Sequence, residues 1–545
     1  MRELTDFSRE GLGRRFGPDY AACHAAAAGR EAKFPELYLA PAKDGPGNRH
    51  YQLGGPWTPQ AGDFSSTQGQ ILYAPDREGA MGVDRVTVLE MSNNCYSERP
   101  EPPWHGGFRP EPMSAEWRRS DGRPLGVPLA VARGMGPWAN SGVIVFSSGF
   151  VASAGTCTAR GTNPTLELPA GKVPTAISIT PKNEFVLVTV FDPQTRVGQV
   201  AVIALTGGGT GFAHEWKEPQ PALCNVALLT GMKLLGFVDL PGIELPTAVC
   251  ASGDTTQPRV SGPDGNAGML STFDLGRQAD RDGFFKGGNA GYVTRAGFAV
   301  VAAKYEQKIA FLDLQPLFKR VREMCLTTPA NYQKTRDQGP DPKQWPYTFD
   351  ADPSWKPVVV KTLPHPQPVS VVASLGAGDR TRVLVASLDG PVGIYGVGGL
   401  ATEAPADARD IGYIGSVTVG RNPCCLTYQK YAADTFIVVS RGDREIAWIR
   451  VGDRDAAVVR RLRDARLLDP VCVEMADTHG TDAGIVTVAD FGGRQLVNYR
   501  FSECRFSTNG GARFGMGADG KADFECGGAM AFPGAPYGVS ATNVN

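Results

Sequence analysis

The chain lacks a surplus of charge of either sign: 55 Lys and Arg stand against 56 Asp and Glu, a formal net charge of -1 over 545 residues. A polyanion binder carries a basic excess or stripe, so this balance argues against nucleic acid as a partner. No run approaches the roughly 18 apolar residues of a membrane helix, which predicts a soluble chain without a transmembrane segment. Histidines are few (His24, His50, His105, His214, His365 and His479). No pair of them has the i, i+4 spacing of a helical metal site, and H-E-x-x-H is missing. Eleven cysteines include no C-x-x-C pair, which excludes zinc ribbons, thioredoxin motifs and C-x-x-C-H haem attachment. There is no G-x-S-x-G, the glycine-rich run 207–211 lacks the Lys-Ser/Thr of a P-loop, and Asp254, Asp264 and Asp274 are too far apart for an EF-hand loop. The sequence therefore names no metal and no cofactor.

Turn-forming residues, by contrast, are abundant. Gly (67) and Pro (42) together make about one residue in five, against roughly 12% in average usage. With 42% hydrophobic residues, the chain has material for a sizeable core built from short strands and tight turns.

Those strands repeat. Five segments share a Pro-led apolar strand, a polar turn, a stronger apolar strand, an Asp/Gly turn and a third strand. From Pro174 they read PTAISIT, EFVLVTVFD and GQVAVIAL; from Pro246, PTAVCAS and, after an insertion, GFAVVAAKY and QKIAFLDLQ. The units from Pro368, Pro423 and Pro470 follow the same plan. Fourth strands are expected in KLLGFVDL, KPVVVKTL and IGYIGSVTVG. Alternation and Val/Ile/Phe/Tyr enrichment indicate strands, and Asp389-Gly390, Gly442-Asp443 and Gly492-Gly493 supply hairpin turns. A leading Pro is tolerated because it enters the strand at its end. Two weaker units start at Pro128 and at QILYAPD, the latter lacking its first strand, which the Pro536 segment can supply.

Four antiparallel strands per unit around an axis describe a propeller blade. The expected fold is all-β: a seven-bladed β-propeller of four-stranded blades, its ring closed by the C-terminal strand. Residues 1–65 are expected as an irregular arm and 66–502 as blades. Residues 503–532 form a Gly-rich, Cys-containing part of the last blade, and 533–545 the closing strand. The junctions Gly420-Arg421-Asn422-Pro423, Ala170-Gly171-Lys172-Val173-Pro174 and Leu240–Pro246 resemble the strand–turn–Pro junction of YVTN-type and lactonase-like seven-bladed propellers. FVLV, VLVA and FIVV stand where that family has its signature tetrapeptide, so the resemblance implies a fold and carries over no catalytic residue.

The insertions 92–122, 206–232, 316–356 and 251–283 all follow first or third strands, which puts them on one face. The 316–356 segment is expected to contain a short helix, Pro316 to Met324. Its Trp345, Tyr347 and Trp355 are either anchors of a packed cap or a partner-binding platform. The Gly/Asp-rich stretch 251–283 is a candidate flexible loop. On the opposite, more open face, His365 and the loop residues Arg421 and Asn422 accompany the turn residues Asp443, Arg444, Asp490 and Arg494. They are candidates for binding an anionic or hydroxylated ligand, or else solvated turns paired with one another.

Adjacent Cys424 and Cys425 would point to opposite faces of a regular strand, which argues against a bridge between them. Cys504 and Cys526, bracketing the Gly-rich segment, are the disulfide candidates if the protein matures outside the cytoplasm. Arg14-Arg15-Phe16 resembles a twin-arginine start, but no clean apolar run follows. The compartment therefore stays open between the cytoplasm and an extracytoplasmic site reached by a leader absent from this chain. The leading functional expectation is a non-catalytic binding or scaffold propeller presenting its decorated face to a protein partner. The alternative is a lactonase-like hydrolase, or another small-molecule enzyme, acting at the open channel mouth.

Overall fold

A computed structural model describes residues 71–78, 83–90, 109–112, 119, 121–124, 126, 128–133, 141–155, 165–182, 184–208, 220–221, 228–254, 260–261, 267–268, 275–336, 339–428, 434–453, 455–477, 484–501, 524–531 and 535–541. The expected arm, 1–65, and Cys504 lie outside the described residues.

Among the described residues the chain is mostly strand, arranged in successive antiparallel sheets of four or five strands plus one two-stranded ribbon. Sheet 1 contains Ile71–Glu78, Val83–Glu90 and Arg109–Pro112. Sheet 2 contains Pro128–Arg133, Ser141–Phe146, Phe150–Gly155 and Thr165–Glu167. Sheet 3 is built on Val173–Ile179, Phe185–Asp192, Val197–Gly208 and Leu228–Asp239. Sheet 4 is Ala248–Gly253, Gly297–Ala303, Lys308–Asp313 and Val358–Pro364. Sheet 5 is Pro368–Ala373, Arg382–Ser387, Val392–Val397 and Ile411–Val417. Sheet 6 is Pro423–Tyr428, Thr435–Ser440, Glu445–Val451 and Ala456–Arg463. Sheet 7 is Pro470–Asp477, Gly484–Asp490, Gln495–Phe501 and Phe524–Ala531. In sheets 2, 4, 5, 6 and 7 the strands pair in chain order, and a tight turn joins the second strand to the third in each.

Burial explains why the middle strands read as continuous apolar runs. Gly297–Ala303 and Thr435–Ser440 are buried at every position, whereas the fourth strand Ala456–Arg463 alternates half-buried and exposed residues. A second strand is covered on both faces by neighbouring sheets. An outer strand is not, so only every other residue is shielded. Each apolar cluster accordingly lies between consecutive sheets. Val383, Val385 and Tyr395 of sheet 5 pack with Val300, Ile309 and Phe311 of sheet 4. On the other side, Leu384, Ala386 and Ile394 pack with Leu426, Phe436 and Val438 of sheet 6.

First strands of consecutive sheets lie side by side from sheet 2 through sheet 7. Five of them share one irregularity, a register shift between the leading Pro and the residue two later, at Pro128, Pro174, Pro368, Pro423 and Pro470. Pro has no N–H to give to the ladder, and a bulge lets the strand begin without that bond. At the C-terminus, Pro536 pairs opposite Asp76 and Ala541 opposite Leu72. The Tyr537 hydroxyl donates to the Pro128 carbonyl of sheet 2.

The long insertions are folded. Helix α1 (Gln278–Phe285) follows the first strand of sheet 4, and α2 (Gln315–Leu326) and α3 (Pro329–Thr335) follow its third. Leu317, Val321 and Met324 of α2 face the core, as the sequence spacing predicts, and Pro316 sits in the first turn, where its missing N–H has no intrahelical partner to lose. The C-terminal part of the 251–283 stretch differs from expectation, because α1 occupies it. Its Gly283 and weak apolar pattern conceal a helix held by two buried residues, Arg281 and Phe284. The Arg281 guanidinium donates to the Leu275 carbonyl at 2.5 Å and to Gln278 Oε1 at 2.7 Å.

Candidate functional site

The polar residues expected at the open mouth form corner bonds, each within its own part of the fold. His365 is 4% exposed. Its Nδ1 lies 2.6 Å from the Tyr395 hydroxyl and its Nε2 3.0 Å from Ser387 Oγ. The ring fits there because Gly393 has no side chain; a Cβ at that position would stand 2.7 Å from His365 Cε1. Burial pushes the imidazole down to about 4, so it is neutral at pH 7, with one nitrogen donating and the other accepting. At the next junction Arg421 Nε donates to Asp443 Oδ1 at 2.7 Å, and the Arg421 backbone N–H donates to Asp443 Oδ2 at 2.7 Å. The backbone bond leads in holding the Asp443 carboxyl below the usual range. Asp490 is fully buried and accepts the backbone N–H groups of Leu468 and Asp469 and the Gln495 amide. Asn422, Arg444 and Arg494 have φ of 52°, 51° and 52° and serve as left-handed turn positions. The structure thus joins Arg421 to Asp443, while His365 and Asp490 each sit in a separate corner at the end of a second strand.

Two of the three candidate platform aromatics are not available to a partner. Trp345 and Trp355 are fully buried and stacked, with ring centroids 5.4 Å apart. Phe185 and Phe349 meet Trp355 edge-on, and half-buried Tyr347 meets Trp345 edge-on at 5.5 Å. They anchor the α2–α3 cap to sheets 3 and 4 and belong to one core with Phe318 and Val321. Of the two readings of this insertion, the packed cap is the one that the burial of Trp345 and Trp355 fits. Trp and Tyr set among Pro and Asp resemble a surface loop in sequence, but the insertion folds back onto sheet faces that need covering.

Chemistry unmarked in the sequence reading gathers on the first strands. In sheets 2 through 7 each is an edge strand of its sheet, with N–H groups on its free side that have no ladder partner. Small polar side chains of the preceding sheet meet them. Ala251 N–H donates to Ser178 Oγ at 2.9 Å, Leu426 N–H to Ser370 Oγ at 3.0 Å, and Val473 N–H to Cys425 Sγ at 3.4 Å. Ala373 N–H likewise faces Cys250, and Val539 N–H faces Cys472. Ser370, Cys425 and Cys472 all stand two residues after the leading Pro. That shared offset is the signal a sequence reading can use.

Between sheets 6 and 7 this rim is densest in reactive groups. Cys425 Sγ lies 3.2 Å from Cys472 Sγ. Cys424, carried by the bulge, donates its S–H to the Val471 carbonyl at 3.4 Å. Half-buried Glu474 lies 3.4 Å from Thr427 Oγ1. Burial pushes the Cys424 thiol up to about 12. In the close pair, the Cys425 S–H pointing at Cys472 raises Cys425 and lowers Cys472. The arrangement offers one carboxylate and several weak sulfur and hydroxyl acceptors along a strand edge. Among the described residues no group of three or more His, Cys, Asp and Glu side chains is arranged to hold a metal ion.

No protein-family model matches the chain. A search of curated proteins also finds no match. Solved structures do align with it. A periplasmic gluconolactonase from Pseudomonas aeruginosa is 13% identical, covering 87% of this chain and 98% of its own, with a TM-score of 0.43. A putative 6-phosphogluconolactonase from Bacteroides fragilis is 10% identical, covering 88% and 99%, with a TM-score of 0.43. A Lactobacillus plantarum protein is 11% identical, covering 87% and 99%, with a TM-score of 0.41. These are similarities to the chain only, and no fold assignment, activity or residue role is taken from them.

Proposed function

We propose that the chain is a seven-bladed propeller closed by its C-terminal strand, and that it holds a small hydroxylated molecule at the inner rim of its last two blades. The closure rests on the pairing of Pro536 and Ala541 with the Ile71–Glu78 strand and on the Tyr537 bond to Pro128. One observation carries the ligand reading: the half-buried Glu474 carboxylate beside Thr427 and the Cys425–Cys472 pair on the same two first strands, which would face the axis of the proposed ring. A carboxylate and neutral thiols accept hydrogen bonds from hydroxyl groups, and partial desolvation strengthens each such bond. This reading lies nearer the small-molecule alternative than the scaffold expectation, whose tryptophans are core residues.

Sugar lactones, the compound class named for the aligned gluconolactonase, serve as the probe. Sugar lactones are titrated against the full chain, with binding followed by calorimetry and ring opening by proton release. Saturable binding that weakens at least tenfold in Glu474→Gln, a loss of about 1.4 kcal/mol, supports the reading. Binding unchanged in that variant, or no binding by any compound tested, contradicts it and returns the scaffold reading to first place. Deleting 316–356 is no test of the scaffold, because it also removes Trp345 and Trp355 from the core.

A further inference from the structure

We propose that Cys425 and Cys472 form a redox modification site, a thiol pair that a small-molecule disulfide converts into a covalent link between the first strands of sheets 6 and 7. The inference is independent of whether the rim takes a ligand.

Three observations place the pair in position to react. The sulfurs are 3.2 Å apart, and a disulfide requires about 2.05 Å, so closing the bond moves them together by about 1.2 Å. The two strands lie side by side, and both cysteines occupy the same offset from a leading Pro, immediately after matching bulges. Both side chains are half-buried on the rim, whereas Cys325 is sealed under the cap. Cys424 is not an equivalent partner, since its shortest S–H contact is the Val471 carbonyl at 3.4 Å, whereas that of Cys425 is Cys472 Sγ at 3.2 Å, ahead of the Val473 carbonyl at 3.8 Å.

The bonding also assigns roles. Cys425 donates its S–H to Cys472 Sγ, which favours negative charge on Cys472 and makes it the attacking sulfur. Cys472 thiolate attacks one sulfur of the small disulfide RSSR, forming a Cys472–SR mixed disulfide and releasing RS⁻, which takes up a proton as RSH. Cys425 then loses its proton to solvent and attacks the Cys472 sulfur, and the second RS⁻ leaves. Two protein thiols and one RSSR become one protein disulfide and two RSH. The two electrons given up by the protein thiols reduce the small disulfide.

The full reduced chain is incubated folded with oxidised glutathione, quenched in acid, alkylated after denaturation and digested without reductant. A peptide pair joining Cys425 to Cys472 is expected in the wild type and in Cys424→Ser, and none in Cys425→Ser. The oxidised wild type should melt at a higher temperature than the reduced form, a difference missing from Cys425→Ser. Recovery of both residues as alkylated thiols overturns the proposal, as does linkage of either one to Cys424 or a stable glutathione adduct in place of the pair. Because the peptide readout uses the wild type, a variant that fails to fold leaves the test intact.

Discussion

Replacing His365 by Gln should remove a pH dependence that the corner between sheets 4 and 5 imposes on stability. The imidazole is 4% exposed, bonded on both nitrogens, and pushed by burial from 6.5 down to about 4. With its folded-state value depressed, the ring is neutral in the fold, while the unfolded chain gains a proton below about pH 6.5. Its stabilising contribution is therefore complete above that pH and falls as acid drives proton uptake by the unfolded state, until the folded value near 4 is reached. Linkage at 1.36 kcal/mol per unit gives a loss of about 2 kcal/mol between pH 7.5 and pH 5, rising to about 3.4 kcal/mol below pH 4. Gln offers a donor and an acceptor in the same corner but does not titrate. Urea unfolding of both proteins at pH 7.5 and pH 5 isolates the effect, because other acid-sensitive groups cancel in the comparison. The wild type should lose about 2 kcal/mol more than His365→Gln over that range. Equal losses would refute the reading of His365 as a buried neutral corner residue.

Three further perturbations test the packing. Trp355→Ala removes a fully buried ring packed against Trp345, Phe185 and Phe349. It should cost about 3–5 kcal/mol and make 315–356 the first site of limited proteolysis; an unchanged cleavage pattern would contradict the core assignment. Glu445 is fully buried beneath Arg461 and Arg463, which are 43% and 68% exposed. Glu445→Ala frees both arginines into water and should cost about 1–3 kcal/mol, whereas Arg463→Ala alone should cost less, as denaturation midpoints will show. Deleting 533–545 removes the strand opposite Asp76 and Leu72 and should lower the Tm of the entire chain. A truncated protein that melts like the full chain would disprove the closure.

Much of the strand layout was legible because the repeat is physical as well as textual. Second and third strands lie between two neighbouring sheets, so FVLVTVFD, GFAVVAA and TFIVVS carry apolar residues on both faces. Each unit opens with a Pro because the inner edge tolerates a missing N–H at its start. The side-chain assignments were less legible. Trp345 and Trp355 sit among polar residues in sequence, and only the folded-back cap makes them core. His365, flanked by Pro on both sides, resembles an exposed loop until Gly393 opens space for it against Tyr395. The thiol pair was hidden for a different reason. Strict alternation assigns Cys424 and Cys425 to opposite faces, but the bulge after Pro423 shifts the register and turns Cys425 toward Cys472 of the next sheet.

The central claim, that the rim between sheets 6 and 7 receives a small hydroxylated molecule, is tested most directly by thiol footprinting. Reduced protein is alkylated under native conditions with and without each sugar lactone, and the rates at Cys424, Cys425 and Cys472 are read by mass spectrometry, with buried Cys325 as the internal control. At least one lactone should slow alkylation at Cys425 and Cys472 several-fold while leaving Cys325 unchanged. Rim rates that stay constant across every lactone, or that fall only in parallel with Cys325, would contradict the account.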